Sequence, residues 1–335
     1  MLARLLFWLL KGALLSAGCC IAGVLLAYLL QGPSVAQDLL RTWVVSFDGI
    51  LVGAFGYGLL FFMRTTGRTL LAQLTNVLKL GEDDEKHLLD LHHRAVSWNW
   101  ANLVSLPLTI VGAIILWSCG FPLQGFARWY LAVCSISIYY VASNMLAFFL
   151  FVLALFNFLE DRSDLRAPAR LQANIESPMD LETLDGFFIL TSTAGIVAIY
   201  LGFRGTLTAN FVNTPPVFKN LLILPILLYL PATLCYSFYP RYVLRKITQR
   251  DTLLRIHEFE RKLESAEPAG FKGDLELKKL LLEVKEKMIA ETSGPPLFGL
   301  KDVPSLTLSL LLLIQLTLEK DSVVAGFFDT FLKKK

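Results

Sequence analysis

The chain has 335 residues, 55% hydrophobic and 18% charged, with a formal net charge of +3 and a mean hydropathy of +0.56. Soluble domains carry nearer a quarter charged residues, so the balance argues against a water-soluble globular enzyme. So much apolar surface excludes disorder, and five cysteines in so long a chain exclude a disulfide scaffold.

A hydrocarbon core about 30 Å thick needs about 20 apolar residues of helix. Six stretches meet this requirement: 12–30, 43–63, 101–118, 129–158, 186–203 and 217–239. The expected fold is all-α, a polytopic transmembrane domain over 1–240 followed by a cytoplasmic helical domain over 241–335. The first stretch follows Arg4 and Lys11. Its 19 apolar residues favour a retained span over a cleaved signal peptide, despite Ser34-Val35-Ala36 beyond it.

The second stretch contains Asp48, the only acid well inside a span. A charged side chain at depth costs roughly 2.5–3.5 kcal/mol on insertion scales, and such residues mark pathways. Asp48 follows Trp43 by five residues, so it lies about a turn below the outer interface. It is therefore a conduction candidate or a solvated acid at a mouth. Gly49, Gly53 and Gly56 lie on one helical face beside it, as close helix packing or a pore-lining contact would require.

The inner connection 64–97 holds Arg64, Arg68, Lys79, Lys86 and Arg94. Its Glu82-Asp83-Asp84-Glu85 run predicts a helix start, because acids suit the positive end of the helix dipole. His87, His92 and His93 follow at spacings that suit a solvated face better than a metal site.

The fourth stretch, at 30 residues, must tilt or project beyond the hydrocarbon. Its Asn144 needs a hydrogen-bonding partner, either on another helix or in an aqueous path. Ser135, Ser137, Ser143 and Thr191-Ser192-Thr193 pose the same choice. The sixth stretch carries Pro225 and Pro231, each of which frees a carbonyl and bends the helix. They are candidate gating positions. Arg241, Arg245, Lys246 and Arg250 follow as a lipid anchor or as the holders of an anionic ligand.

Lys and Arg fall mainly in alternate connections, which places both termini in the cytoplasm of a multi-pass protein in the plasma (inner) membrane. The cysteines show no paired spacing and pack as small apolar residues. The chain lacks the nucleotide, hydrolase, zincin and kinase signatures, so no enzyme and no cofactor is expected. The run 305–318, SLTLSLLLLIQLTL, is uncharged yet too short to span, as expected of a helix buried between copies in an oligomer. A re-entrant or interfacial helix is the alternative.

The expected function is a homo-oligomeric gated ion channel or pore with a cytoplasmic sensing domain. A secondary transporter and a non-conducting membrane scaffold are the alternatives. In span layout and tail, over most of its length, the chain resembles the membrane effectors of bacterial anti-phage defence. Within that group it is most similar to the channel subunit of Hailong-type systems. That resemblance implies a tetramer whose cytoplasmic domain holds a nucleotide-derived ligand, a single-stranded DNA made by a partner nucleotidyltransferase. The resemblance assigns no ligand residue.

Overall fold

The computed structural model describes residues 1–46, 48–79, 82–119, 123–162, 172–173, 178–208, 228–247 and 250. It also describes 257, 261, 279–280, 282–283, 286, 303–304, 306–307 and 309–311. The described residues are helical throughout, apart from turns and one two-residue antiparallel pairing, β1 (Leu78–Lys79) with β2 (Gln172–Ala173). In chain order they form α1 (Leu2–Gln31), α2 (Pro33–Arg41), a π-helical turn (Thr42–Ser46), α3 (Gly49–Gly53) and a second π-helical turn (Ala54–Gly58). Then follow α4 (Leu59–Val77), α5 (Glu82–Val96), α6 (Trp98–Cys119), α7 (Gly125–Arg162), α8 (Pro178–Thr208) and the helix 228–247, here α9.

Among the described residues five helical segments are long and apolar enough to cross a membrane: Leu2–Gln31, Gly49–Leu74, Trp98–Ile115, Gly125–Asp161 and Thr183–Gly202. The first part of the sixth stretch, with Pro225, lies outside the described residues. The rest, with Pro231, falls in α9. The run 305–318 is described only at 306, 307 and 309–311, all helical, with Leu306, Leu310 and Leu311 exposed.

The helices outrun the apolar stretches that mark them, because a hydrogen-bonded ladder does not stop where hydropathy does. α7 has 38 residues, about 57 Å at 1.5 Å per residue. α4 continues beyond the apolar stretch, past Arg64 and Arg68, to Val77. α5 begins at Glu82, where the four acids meet the positive end of its dipole.

The packed interior is aromatic. Phe62 and Met63 of α4, Phe148, Phe149 and Phe156 of α7, Phe187 and Phe188 of α8, and Tyr236 of α9 are all fully buried in one cluster. Tyr236 meets Phe148 and Phe188 edge-on, an arrangement that aligns ring edge and face. The outward faces of α1 and α6 are apolar and unpartnered among the described residues, from Leu2 to Leu30 and from Leu103 to Trp117. On α6 that stripe is bracketed by the exposed Trp98 and Trp117. They are separated by about 28 Å of helix, which matches the depth of a hydrocarbon core with an indole at each interface.

The far end of the bundle is closed by a turn at Gly32, whose φ of 94° is open only to glycine at low cost. Gln31 then ties this end to α7. Its Oε1 accepts from the Ala127 N–H at 3.1 Å, satisfying one of the unpaired donors of the α7 N-terminus.

Candidate functional site at a break in the second span

The segment of crossing length begins only at Gly49, just after Asp48, and the second apolar stretch, 43–63, is not one helix. The stretch runs through the turn Thr42–Ser46, breaks at Asp48 and restarts as α3. Asp48 has φ 45° and ψ 38°, and it is the only described non-glycine residue with positive φ. An L-residue in this conformation sets its Cβ against the backbone and costs roughly 1–2 kcal/mol. Aspartate is among the few residues that tolerate it. The Asp48 carbonyl still accepts from the Val52 N–H at 2.9 Å, so the residue acts as the N-cap of α3.

Around the break the packing is close. The Ser16 hydroxyl of α1 donates to the Gly49 carbonyl at 2.7 Å. The Trp43 indole lies on Gly49, where an added Cβ would come within 2.6 Å of Nε1. Trp43 Nε1 is buried without an acceptor among the described residues.

The sequence places Gly49, Gly53 and Gly56 on one face, but the structure divides them. Gly53 faces Ser16 of α1, whereas Gly56 faces Val141 of α7. The π turn Ala54–Gly58 explains this, because a turn that bonds i to i+5 brings Gly58, not Gly56, beneath Gly53. Gly58 then meets the backbone of Trp8 and Leu9, and a Cβ on Gly12 would stand 2.6 Å from the Gly58 nitrogen. The helices cross at backbone distance through these small residues. The glycines are thus engaged within the chain.

The polar residues of the other spans are also placed between helices. Asn144, fully buried, donates through Nδ2 to Ser105 Oγ at 3.0 Å and to the Tyr140 carbonyl at 3.1 Å. The Tyr57 hydroxyl donates to Ser137 Oγ at 2.7 Å. Between α8 and α9, Thr191 meets the Tyr236 hydroxyl at 3.2 Å and Ser192 meets Ser237 at 3.0 Å. Pro231 is exposed in α9.

At the opposite end of the bundle, α9 is held by charge. Arg241 is ion-paired with Asp185 of α8, and Lys246 Nζ lies 3.3 Å from Glu160 Oε1 of α7. The Tyr239 hydroxyl donates to Glu160 Oε2 at 2.7 Å. Two of the four candidate anion-binding cations are therefore joined to acids of neighbouring helices. Arg245 is half-buried and Arg250 buried, each with further interactions.

Sequence reasoning counted Arg64 among the cations of an inner connection. The structure buries it in α4, with Nη1 donating to the Ala95 carbonyl at 2.9 Å and the Ser97 carbonyl at 3.4 Å. A cation there complements the negative end of the α5 dipole. Its guanidinium lies between the rings of Trp98, at 5.0 Å, and Phe148, at 5.6 Å. The histidines have different neighbours: His87 meets Phe158 edge-on, and His92 bonds the Arg68 backbone. Among the described residues no group of three or more histidine, cysteine or acidic side chains could hold a metal.

No protein-family model, curated protein or solved structure matches the chain.

Proposed function

We propose that this chain is a homo-oligomeric gated ion channel or pore of the plasma membrane, with both termini cytoplasmic and Asp48 at its conducting element. The observation that carries this reading is an acid held in the left-handed conformation where the apolar stretch 43–63 breaks, immediately before the crossing-length segment Gly49–Leu74. Backbone that leaves the helical ladder at membrane depth is tolerated where it lines a cavity or is buried in protein. A carboxylate there attracts cations.

Gating is proposed to act through α9. Its cations bond to Asp185 and Glu160, so a cytoplasmic anion, whether a nucleotide or a single-stranded DNA, would compete with those acids and release the helix. The layout shared with anti-phage channel effectors supports a tetramer acting to breach the membrane of an infected cell.

Purified protein in liposomes tests the central claim. Cation flux that falls or loses selectivity in Asp48→Asn supports it. Unchanged flux and selectivity remove Asp48 from the path, and a monomeric particle by electron microscopy removes the oligomeric pore.

A secondary transporter is the second reading, and the same broken span favours it, since transporters place discontinuous helices at their binding sites. Saturable counterflow, at rates far below those of a pore, would select it.

A further inference from the structure

The seam between α6 and α7 contains polar groups whose demands the protein does not meet. Asn144 Oδ1 is buried with no partner among the described residues. Rotating the amide does not help, since it would set Oδ1 against the Tyr140 carbonyl and leave Nδ2 stranded instead. Arg64 reaches the same seam from α4, its guanidinium against the rings of Trp98 of α6 and Phe148 of α7, and its Nε and Nη2 are likewise buried without an acceptor among the described residues. No carboxylate lies within ion-pair distance of Arg64 among the described residues.

The two unmet demands are opposite in kind: Arg64 offers donors and Asn144 offers an acceptor. Asn144 and Phe148 are one turn apart on α7. Tyr140, one turn the other way, donates to Asn102 Oδ1 at 2.6 Å and lies within electrostatic reach of Arg64. The seam is thus continuously polar from the α5–α6 turn at Ser97, through Arg64 and Asn102, to Ser105 and Asn144.

An unpaired buried group costs several kcal/mol in a dry interior, and internal water with two to four polar partners is the usual remedy. We propose that this seam holds a file of bound water, entered from the cytoplasmic side beside Ser97 and ending at Asn144. Water at its inner end accepts from Arg64 Nε or Nη2, and water at its blind end donates to Asn144 Oδ1. The guanidinium can then remain charged at the inner interface with no carboxylate beside it. A crevice closed at Asn144 conducts nothing by itself, so this inference goes beyond the channel reading and rests on it only for which face is cytoplasmic.

Cysteine accessibility decides the matter. Cys19, Cys20, Cys119, Cys134 and Cys235 are replaced by alanine in the full-length chain, and Ser105→Cys or Leu106→Cys is added. Vesicles of known orientation are treated from the cytoplasmic side with a charged, impermeant methanethiosulfonate, which reacts with the ionised thiol. Leu106 faces outward on the apolar stripe and supplies the dry reference. Labelling of Ser105→Cys faster by an order of magnitude or more supports the crevice, and adding Asn144→Leu should slow it. A rate equal to that of Leu106→Cys overturns the proposal. If Ser105→Cys does not fold, the half-exposed Asn102→Cys gives the same comparison with the same two outcomes.

Discussion

The Ser16 hydroxyl donates across 33 residues of sequence to the carbonyl of Gly49, one position after the left-handed Asp48. α1 therefore supplies a hydrogen-bond donor next to the point where the second span is interrupted. Ser16→Ala removes it and leaves a buried carbonyl short of a partner. The expected loss is about 1 kcal/mol, read as a lower melting temperature in detergent.

Asp48 itself can be separated into conformation and charge. Asp48→Gly relieves the left-handed strain and should raise stability by about 0.5–1 kcal/mol. Asp48→Val, whose branched Cβ clashes there, should lower it by about 1–2 kcal/mol. Asparagine accepts the conformation, so Asp48→Asn should leave melting nearly unchanged and report on charge alone. A destabilised Asn variant would mean that the carboxylate holds the break together.

Where α1 crosses the second span, backbone meets backbone. Gly12→Leu and Gly58→Leu should each disrupt the crossing at a cost of about 1–3 kcal/mol or more, whereas leucine at the open Gly18 should be tolerated. Thermal melting of the three variants side by side checks the contrast, and equal tolerance at Gly12 and Gly18 would contradict the observed packing.

The Arg241–Asp185 pair predicts asymmetry. Asp185→Asn removes the carboxylate paired with a buried guanidinium. The expected loss approaches, but stays below, the roughly 3–5 kcal/mol of a fully buried pair, because Asp185 keeps some exposure. Changing both residues to an asparagine–glutamine pair should recover part of it. Limited proteolysis of the α9 end, faster in the single variant than in the double, would report the release.

Acid should weaken the seat of α5 through His92. Its imidazole titrates below the ordinary value of 6.5, first because burial disfavours the charged form and then because Arg68 and His93 repel it. A hydrogen bond to the Arg68 backbone offsets part of this shift. Above 6.5 the side chain is neutral in both folded and unfolded chains, so it adds no pH dependence. As pH falls below 6.5, the unfolded chain takes up the proton first, and stability declines until the folded imidazole also protonates. His92→Gln should flatten this segment of a melting-temperature-against-pH curve, and an unchanged slope would assign the acid sensitivity elsewhere.

Much of the architecture was legible because it is written in runs of one kind of residue. Five of the expected spans coincide with apolar helices, and the acids at Glu82 to Glu85 open α5 where helix electrostatics places a start. What escaped depends on backbone and on partners. Nothing in the side chains of Ala54 to Gly58 announces a π turn, so the three glycines read as one face when they are two. Arg64 resembles any other cation after a span. Its burial follows from α5 folding back to present the Ala95 and Ser97 carbonyls and from Trp98 closing over the guanidinium. No local pattern encodes that encounter.

The π turn at Ala54 to Gly58 is, in hydrogen-bonding terms, an α-helix with one residue to spare. Deleting a single residue there would let the segment relax to ordinary helix, with almost no change in apolar length or net charge. Everything beyond it would turn by about 100° relative to α1, the angular step of one residue at 3.6 per turn. Gly58 would swing away from Gly12, and Arg64 away from the end of α5. Hydropathy would score such a variant as intact. The inserted residue thus works as a phase-setting element, which joins the packing of the N-terminal half of the span to the electrostatics of its C-terminal half.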